Sequence, residues 1–225
     1  MGANPHIEQV YKLYWEAFEK FRAIQHISTL DGNRKFCSVI ENMLHVHKRV
    51  IPLLVVGIHE SQKYLEEEDL NKFMNETLQS RVSRRVLAEQ HIALSSVFDG
   101  ADAPQPHMIG IVDTLCNSHS IVKKCASLVG DLFKKVYDMT PPEVVIDGNL
   151  NATFTYIPDH IEYNIFELLK NSMRYTYENH MDATVLPPIR VTIGVGDNQI
   201  MFRVSDQGTL FSLHFLTLHE KRRRN

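Results

Sequence analysis

The chain has 225 residues, 44% of them hydrophobic and 23% charged, with a formal net charge of -3. That is enough apolar material for one large or two modest globular domains and too much for a disordered tail. The near-neutral balance gives no whole-chain electrostatic case for nucleic acid, and the one dense basic run, "KRRRN", closes the chain, where a solvated, frayed terminus is the common arrangement.

The first half reads as helices. In "NPHIEQVYKLYWEAFEKFRAI", Asn4 is a cap and Pro5 stands at the first helical position, followed by Ile7, Val10, Tyr11, Tyr14, Phe18 and Phe21 at helical spacing. A second helix runs through "FCSVIENMLHVHKRVIPLLVVGIHESQKYL", with a kink expected at Pro52. A third, "EEDLNKFMNETLQSRVSRRVLAEQHIALSS", carries Leu70, Phe73, Leu78, Val82 and Leu87. After a loop containing Pro104 and Pro106, "SIVKKCASLVGDLFKKVYD" forms a fourth with a wide apolar face. Long helices on short or moderate loops predict a four-helix bundle.

The pattern then changes. "EVVIDG" and "ATFTYI" run or alternate at strand length, a helix follows over 160–180, and "IRVTIGVG" and "NQIMFRVSD" form two further strands across a Gly-Asp-Asn turn. The fold class is therefore α+β, a helical bundle followed by part of an α/β sandwich. The boundary is expected within 115–140, with the fourth helix straddling it, and the division adopted is 1–125 and 126–225.

The helix "HIEYNIFELLKNSMRYTYENH" holds two faces. Glu167, Asn171 and Arg174 fall within roughly 60° of one another, flanked by Tyr163 and Lys170, at about 100° per residue. Ile161, Ile165, Leu168, Leu169 and Ser172 occupy a separate arc suited to packing on a sheet. A carboxylate, a carboxamide and a guanidinium in one row can hold a base, a metal and a phosphate together. An ordinary solvated face with an intrahelical charge pair is the commoner meaning of such a triple.

Three cysteines, Cys37, Cys116 and Cys125, are odd in number and lack CxxC spacing, which fits reduced thiols. The longest apolar run, "VIPLLVVGI", is about half of what a bilayer crossing needs, so no membrane span is expected. The start, "MGANPHIEQ", shows neither an apolar signal core nor an Arg-rich leader.

With these elements placed, "ELLKNSMRYT" followed by "IRVTIGVGDNQIMFRVSDQG" resembles the asparagine box and first glycine box of the GHKL (Bergerat) ATP-binding domain of histidine kinases, type II topoisomerases and Hsp90-type chaperones. The helical blocks "NPHIEQVYKLYWEAF", "HKRVIPLLVVGIHES" and "LNKFMNETLQSRVSRRVLAEQHIAL" narrow the resemblance to the mitochondrial kinases of the 2-oxoacid dehydrogenase complexes, over about residues 3–208. "GIHESQKYLEEEDL", "TLQSR", "YTYENHMD" and Tyr163 lean toward the branched-chain member over the pyruvate dehydrogenase kinases.

The resemblance implies a matrix protein serine kinase that uses Mg-ATP to phosphorylate and inactivate the decarboxylase subunit of such a complex. Glu167 would be the general base, Asn171 the Mg²⁺ ligand, Arg174 and Lys170 neighbours of the phosphates, Asp206 the acceptor for the adenine amino group, and Gly208 the point where the backbone approaches the base. A regulatory pocket for oxoacid-like ligands would draw on His47 and Arg81, with Arg85 nearby. Leu44 stands where the pyruvate enzymes carry an arginine, which weakens the expectation for pyruvate itself. Read alone, His47 is a partly exposed helix residue and Arg81 an intrahelical partner of Glu76 or Glu89; His91 reads as a packed structural histidine. Implied partners are the decarboxylase subunit, the lipoyl domain of the acyltransferase core and a second copy in a homodimer, with no nucleic acid.

The chain departs from the family after Gly208. Thr209 and Leu210 replace two expected glycines, the second glycine loop, lid and further strands are expected to be missing, and "TLFSLHFLTLHEKRRRN" looks foreign to the family. A C-terminally truncated form is therefore expected, and a non-catalytic docking or regulatory form stands as the alternative to the active kinase. A general GHKL ATPase or histidine kinase is disfavoured, because the helical half matches the mitochondrial group and no phospho-acceptor helix pair precedes the domain.

Overall fold

A computed structural model describes residues 4–197, 199–208 and a strand at 213–219. Its contacts divide the chain into two compact units, Met1–Pro106 and His107–Asn225.

The first unit is helical: α1 (Pro5–Arg22), α2 (Leu30–Val46), α3 (Val50–Ser61) and α4 (Glu67–Phe98). Asn4 caps α1 as predicted, its Oδ1 accepting from the His6 and Ile7 amides at 2.9 and 3.2 Å, with Pro5 opening the helix. The same side chain donates from Nδ2 to Glu60 Oε2 at 2.9 Å and so ties the start of α1 to the end of α3. α1 packs on α3 around buried Val10, Val50 and Leu54, and α2 packs on α4. The expected second helix is two helices joined by a 3₁₀ turn at His47–Arg49. Pro52 is the third residue of α3, so it has no N–H for the Lys48 carbonyl, and its ring crowds that preceding turn; the break falls one turn before the proline.

The fourth expected helix belongs to the other unit. Residues Ser118–Tyr137 form α5, and its apolar face (Ile121, Val122, Cys125, Val129, Phe133) joins one core with α6 (Pro158–Asn179) and the strands. Four helices do make up the first unit, but only because the second one splits. The division of the chain thus falls before α5, not within it.

The second unit is α+β. A short sheet of order β1-β2-β4 joins Met108–Ile109, Val112–Asn117 and Thr153–Tyr156. The β1–β2 hairpin, which turns at Gly110 with φ 61°, lies where the sequence predicts only a loop. The larger sheet, of order β3-β5-β6-β7, joins Val144–Gly148, Ile189–Gly196, Gln199–Ser205 and Leu213–His219, with β3 parallel to β5 and the other pairs antiparallel. The larger sheet continues into the tail. Part of the tail that looked foreign pairs along β6 from Ser205↔Leu213 to Gln199↔His219. Thr209, Leu210 and the basic end lie outside the described residues.

Strand alternation builds the core directly. Ile189, Val191 and Ile193 on β5, with Ile200, Phe202 and Val204 on β6, are buried against the helices, while Arg190 and Arg203 face outward. Ile161, Ile165, Leu169 and Met173 answer them from α6, each at most 1% exposed. At about 1.5–3 kcal/mol per buried aliphatic side chain, this stripe is what seats α6 and leaves its other face open. Among the described residues all three cysteines are free, and burial pushes the Cys116 and Cys125 thiols up to about 11. No described helix is long and apolar enough to cross a membrane.

Candidate functional site

The open face of α6 carries the predicted row. Asn171 and Arg174 are exposed, while Glu167 and Lys170 are partly exposed. Lys170 Nζ donates to both Glu167 oxygens at 2.7 and 2.6 Å, and Arg174 Nε donates to Glu178 Oε1 at 2.7 Å. The commoner expectation for such a face therefore holds as well, since both charged members sit in intrahelical pairs. These are exposed pairs, each worth about 0–1 kcal/mol, and they exchange partners readily.

The far end of the row meets the end of β6. Asp206, one residue past the last ladder pair, is buried at 9% exposure. Its Oδ1 accepts from the Gly208 amide at 3.0 Å. Gly208 lies against α6: a Cβ there would stand 2.6 Å from Tyr175 Cβ and 3.3 Å from the Tyr175 carbonyl carbon. Asn179 Nδ2 donates to the Gln207 carbonyl at 3.1 Å. The close approach that requires glycine is thus to the helix. Tyr175 and Asn179 escaped the sequence reading, although they continue the Asn171 row at i+4 and i+8. Ser172 and Thr176 are fully buried beside this row, and their hydroxyls have no hydrogen-bond partner among the described residues.

The helical unit has its own candidate site. A cavity of about 260 Å³ is lined by Tyr14, Phe18, Leu44, His47, Arg81, Arg84 and Arg85, among others. His47 Nε2 lies 3.2 Å from the Leu13 carbonyl, and the ring meets Tyr14 edge-on at 5.1 Å. Burial holds the His47 imidazole below its ordinary pKa; its bond to the Leu13 carbonyl opposes this, and Arg81, Arg84 and Lys20 add to it. Arg81 donates to the His47 carbonyl at 2.7 Å, so neither Glu76 nor Glu89 is its partner; Glu89 takes Arg85 at 2.8 Å. Arg84, which the sequence reading passed over, stacks on Tyr14 at 4.9 Å. Arg81, Arg84, Arg85 and Ala88 share one α4 face at i, i+3, i+4 and i+7, a pattern that would have included Arg84. His91 is packed as expected, with Nε2 3.1 Å from Asn33 Oδ1 and its ring against Phe36.

Comparison with known proteins places the chain in a family. A family model described as mitochondrial branched-chain alpha-ketoacid dehydrogenase kinase matches residues 1–113, half of the chain. The chain belongs to this kinase family. Among curated relatives, pyruvate dehydrogenase (acetyl-transferring) kinase 2 of Saccharomyces cerevisiae is 26% identical over 211 residues, covering 91% of this chain and 43% of the relative. The mitochondrial pyruvate dehydrogenase kinase of Arabidopsis thaliana is 26% identical, covering 92% and 56%. Kinase isozyme 1 of Rattus norvegicus is 27% identical, covering 91% and 50%. This member of the family spans about half the length of the curated relatives it matches. Among solved structures, the Acinetobacter baumannii histidine kinase AdeS matches at 16% identity with a TM-score of 0.32, covering 73% of this chain and 72% of that one, too low a score to bear on the fold.

Proposed function

We propose that the chain carries the nucleotide half-site and the helical unit of a mitochondrial matrix serine kinase. Its substrate is the decarboxylase subunit of a 2-oxoacid dehydrogenase complex, which Mg-ATP-dependent phosphorylation inactivates. The α+β unit is read as part of a GHKL-type sandwich. The observation that carries the reading is the buried Asp206 seated on the same helix as Glu167, Asn171 and Arg174. Tyr175 and Asn179, which hold the Asp206 turn, lie 8 and 12 residues beyond Glu167, or about 12–18 Å along the helix axis. Base recognition at one end and phosphate chemistry at the other fit that span.

The residues suit the ligand. Mg²⁺ takes one or two protein oxygens and fills the rest of its shell with phosphate and water, so the exposed Asn171 carboxamide is an adequate protein ligand. When bound, Mg²⁺ neutralises charge on the phosphates. Lys170 and Arg174 turn from their exposed intrahelical partners toward phosphate, and Glu167, released by Lys170, accepts the proton of the serine hydroxyl. Asp206, fixed by the Gly208 amide, accepts from the adenine amino group.

Calorimetric titration of Mg-ATP into the chain, with Asn171→Ala as control, tests this. Saturable heat that disappears in the control supports the half-site and leads to phosphorylation assays on the branched-chain and pyruvate complexes. A folded chain without binding supports the docking or regulatory alternative, in which the helical unit engages the lipoyl domain or a second copy without turnover.

The cavity favours a second, regulatory role. Three arginines, a half-buried His47 and the Tyr14 hydroxyl, which has no hydrogen-bond partner among the described residues, surround an apolar lining that includes Phe18 and Leu44. That chemistry suits a carboxylate with an apolar body, and Leu44 in place of a cation shifts the preference from pyruvate toward branched-chain 2-oxoacids. Titration of both acids against Arg81→Ala decides it: equal binding of the two, or no loss in the variant, rejects the assignment.

A further inference from the structure

Among the described residues, the turn after β6 leaves the ladder at Ser205. The ladder of β6 ends at Ser205, which pairs with Arg190 on one side and Leu213 on the other, so Asp206 stands one residue beyond both pairings. A carboxylate meant to accept from one particular group on a base needs a fixed direction. Contacts from α6 contribute to it. Asn179 Nδ2 binds the Gln207 carbonyl at 3.1 Å, and Gly208 presses on Tyr175 more closely than any Cβ would allow. The Gly208 amide, placed by those two contacts, binds Asp206 Oδ1 at 3.0 Å.

We propose that Asn179 and Tyr175 are positioning residues that latch the Asp206–Gly208 turn to α6 and thereby set base specificity. The inference rests on the nucleotide reading above. A carboxylate held as an acceptor favours a purine with an exocyclic amino group at the contacted position and disfavours one with a carbonyl there, since two acceptors would then face each other. Loosening the latch lets the carboxylate swing or admit water, which costs discrimination more than fold stability.

The test uses the 225-residue chain with Asn179→Ala and the isosteric Asn179→Asp, which keeps the volume but cannot donate. Amide exchange at Gly208 and calorimetry with Mg-ATP and Mg-ITP are the two readouts. Both variants are expected to exchange the Gly208 amide about fivefold faster, the scale of one lost hydrogen bond, and to lose about tenfold in preference for ATP over ITP. Thermal midpoints are expected to stay close to wild type. Unchanged exchange overturns the latch; faster exchange with the preference intact overturns its specificity role. A wild-type chain that binds neither nucleotide overturns the nucleotide reading and the specificity role with it, while the exchange data still decide whether the latch exists.

Discussion

Replacing Gly208 by alanine puts the joint between sheet and helix under direct test. The added Cβ would stand 2.6 Å from Tyr175 Cβ, whereas carbon atoms rest at about 3.5–4.0 Å, a shortfall of about 1 Å. The helix cannot yield, because Met173 and Thr176 on either side of Tyr175 are buried in the core. So the turn must move. Overpacking of this kind costs about 1–3 kcal/mol, and the displaced turn strains the Gly208–Asp206 and Asn179–Gln207 hydrogen bonds, each worth about 1 kcal/mol. A destabilisation of about 2–4 kcal/mol is expected in urea unfolding, as a lower midpoint at unchanged slope. The control is specific. Tyr175→Ala keeps the clashing Cβ and should give no relief, whereas Tyr175→Gly removes it and should recover part of the loss despite about 1 kcal/mol of helix penalty. A Gly208→Ala chain within about 0.5 kcal/mol of wild type, or equal relief by both Tyr175 variants, refutes the seating of this turn on α6.

Phe202→Ala, at a fully buried position packed edge-to-face on Phe154, should cost about 3–5 kcal/mol by chemical denaturation; a loss under about 1 kcal/mol would deny the β6 core register. Because burial lowers the folded His47 pKa, its contribution to stability is complete above the unfolded value near 6.5 and is lost as pH falls from there through the folded pKa; His47→Gln should flatten that acid limb of a stability–pH profile. Lys170→Met removes an exposed pair and should leave stability within about 0.5 kcal/mol, yet weaken Mg-ATP binding about tenfold if Lys170 turns to phosphate. Arg84→Ala should lower the affinity of the helical cavity for a branched-chain 2-oxoacid without changing nucleotide binding, read by calorimetry with each ligand in turn.

Periodicity made the core of α6 and the β5–β6 hairpin legible because each has one buried face, and a face is what a repeat of 3.6 or 2 encodes. Ile161, Ile165 and Leu169 on one side and Glu167, Asn171 and Arg174 on the other follow from the helical repeat alone. Membership of a unit could not. The apolar stripe of α5 says that it is covered, not by what, and a stripe that would serve a bundle serves a sheet-backed core equally well. Nor was β7 legible: in "LHFLTLH" the adjacent Phe215 and Leu216 break strict alternation, and pairing along the β6 edge is what makes the segment a strand. In the candidate site, sequence supplied the row on α6 and missed the residues that hold the Asp206 turn. Tyr175 and Asn179 carry no charge and match no motif; only the place where the chain returns to α6 gives them a task. The glycine shows the same limit, since its need for a missing Cβ was legible while the neighbour that imposes it was not. Positioning is a property of tertiary contact, so half of this site had to wait for the fold.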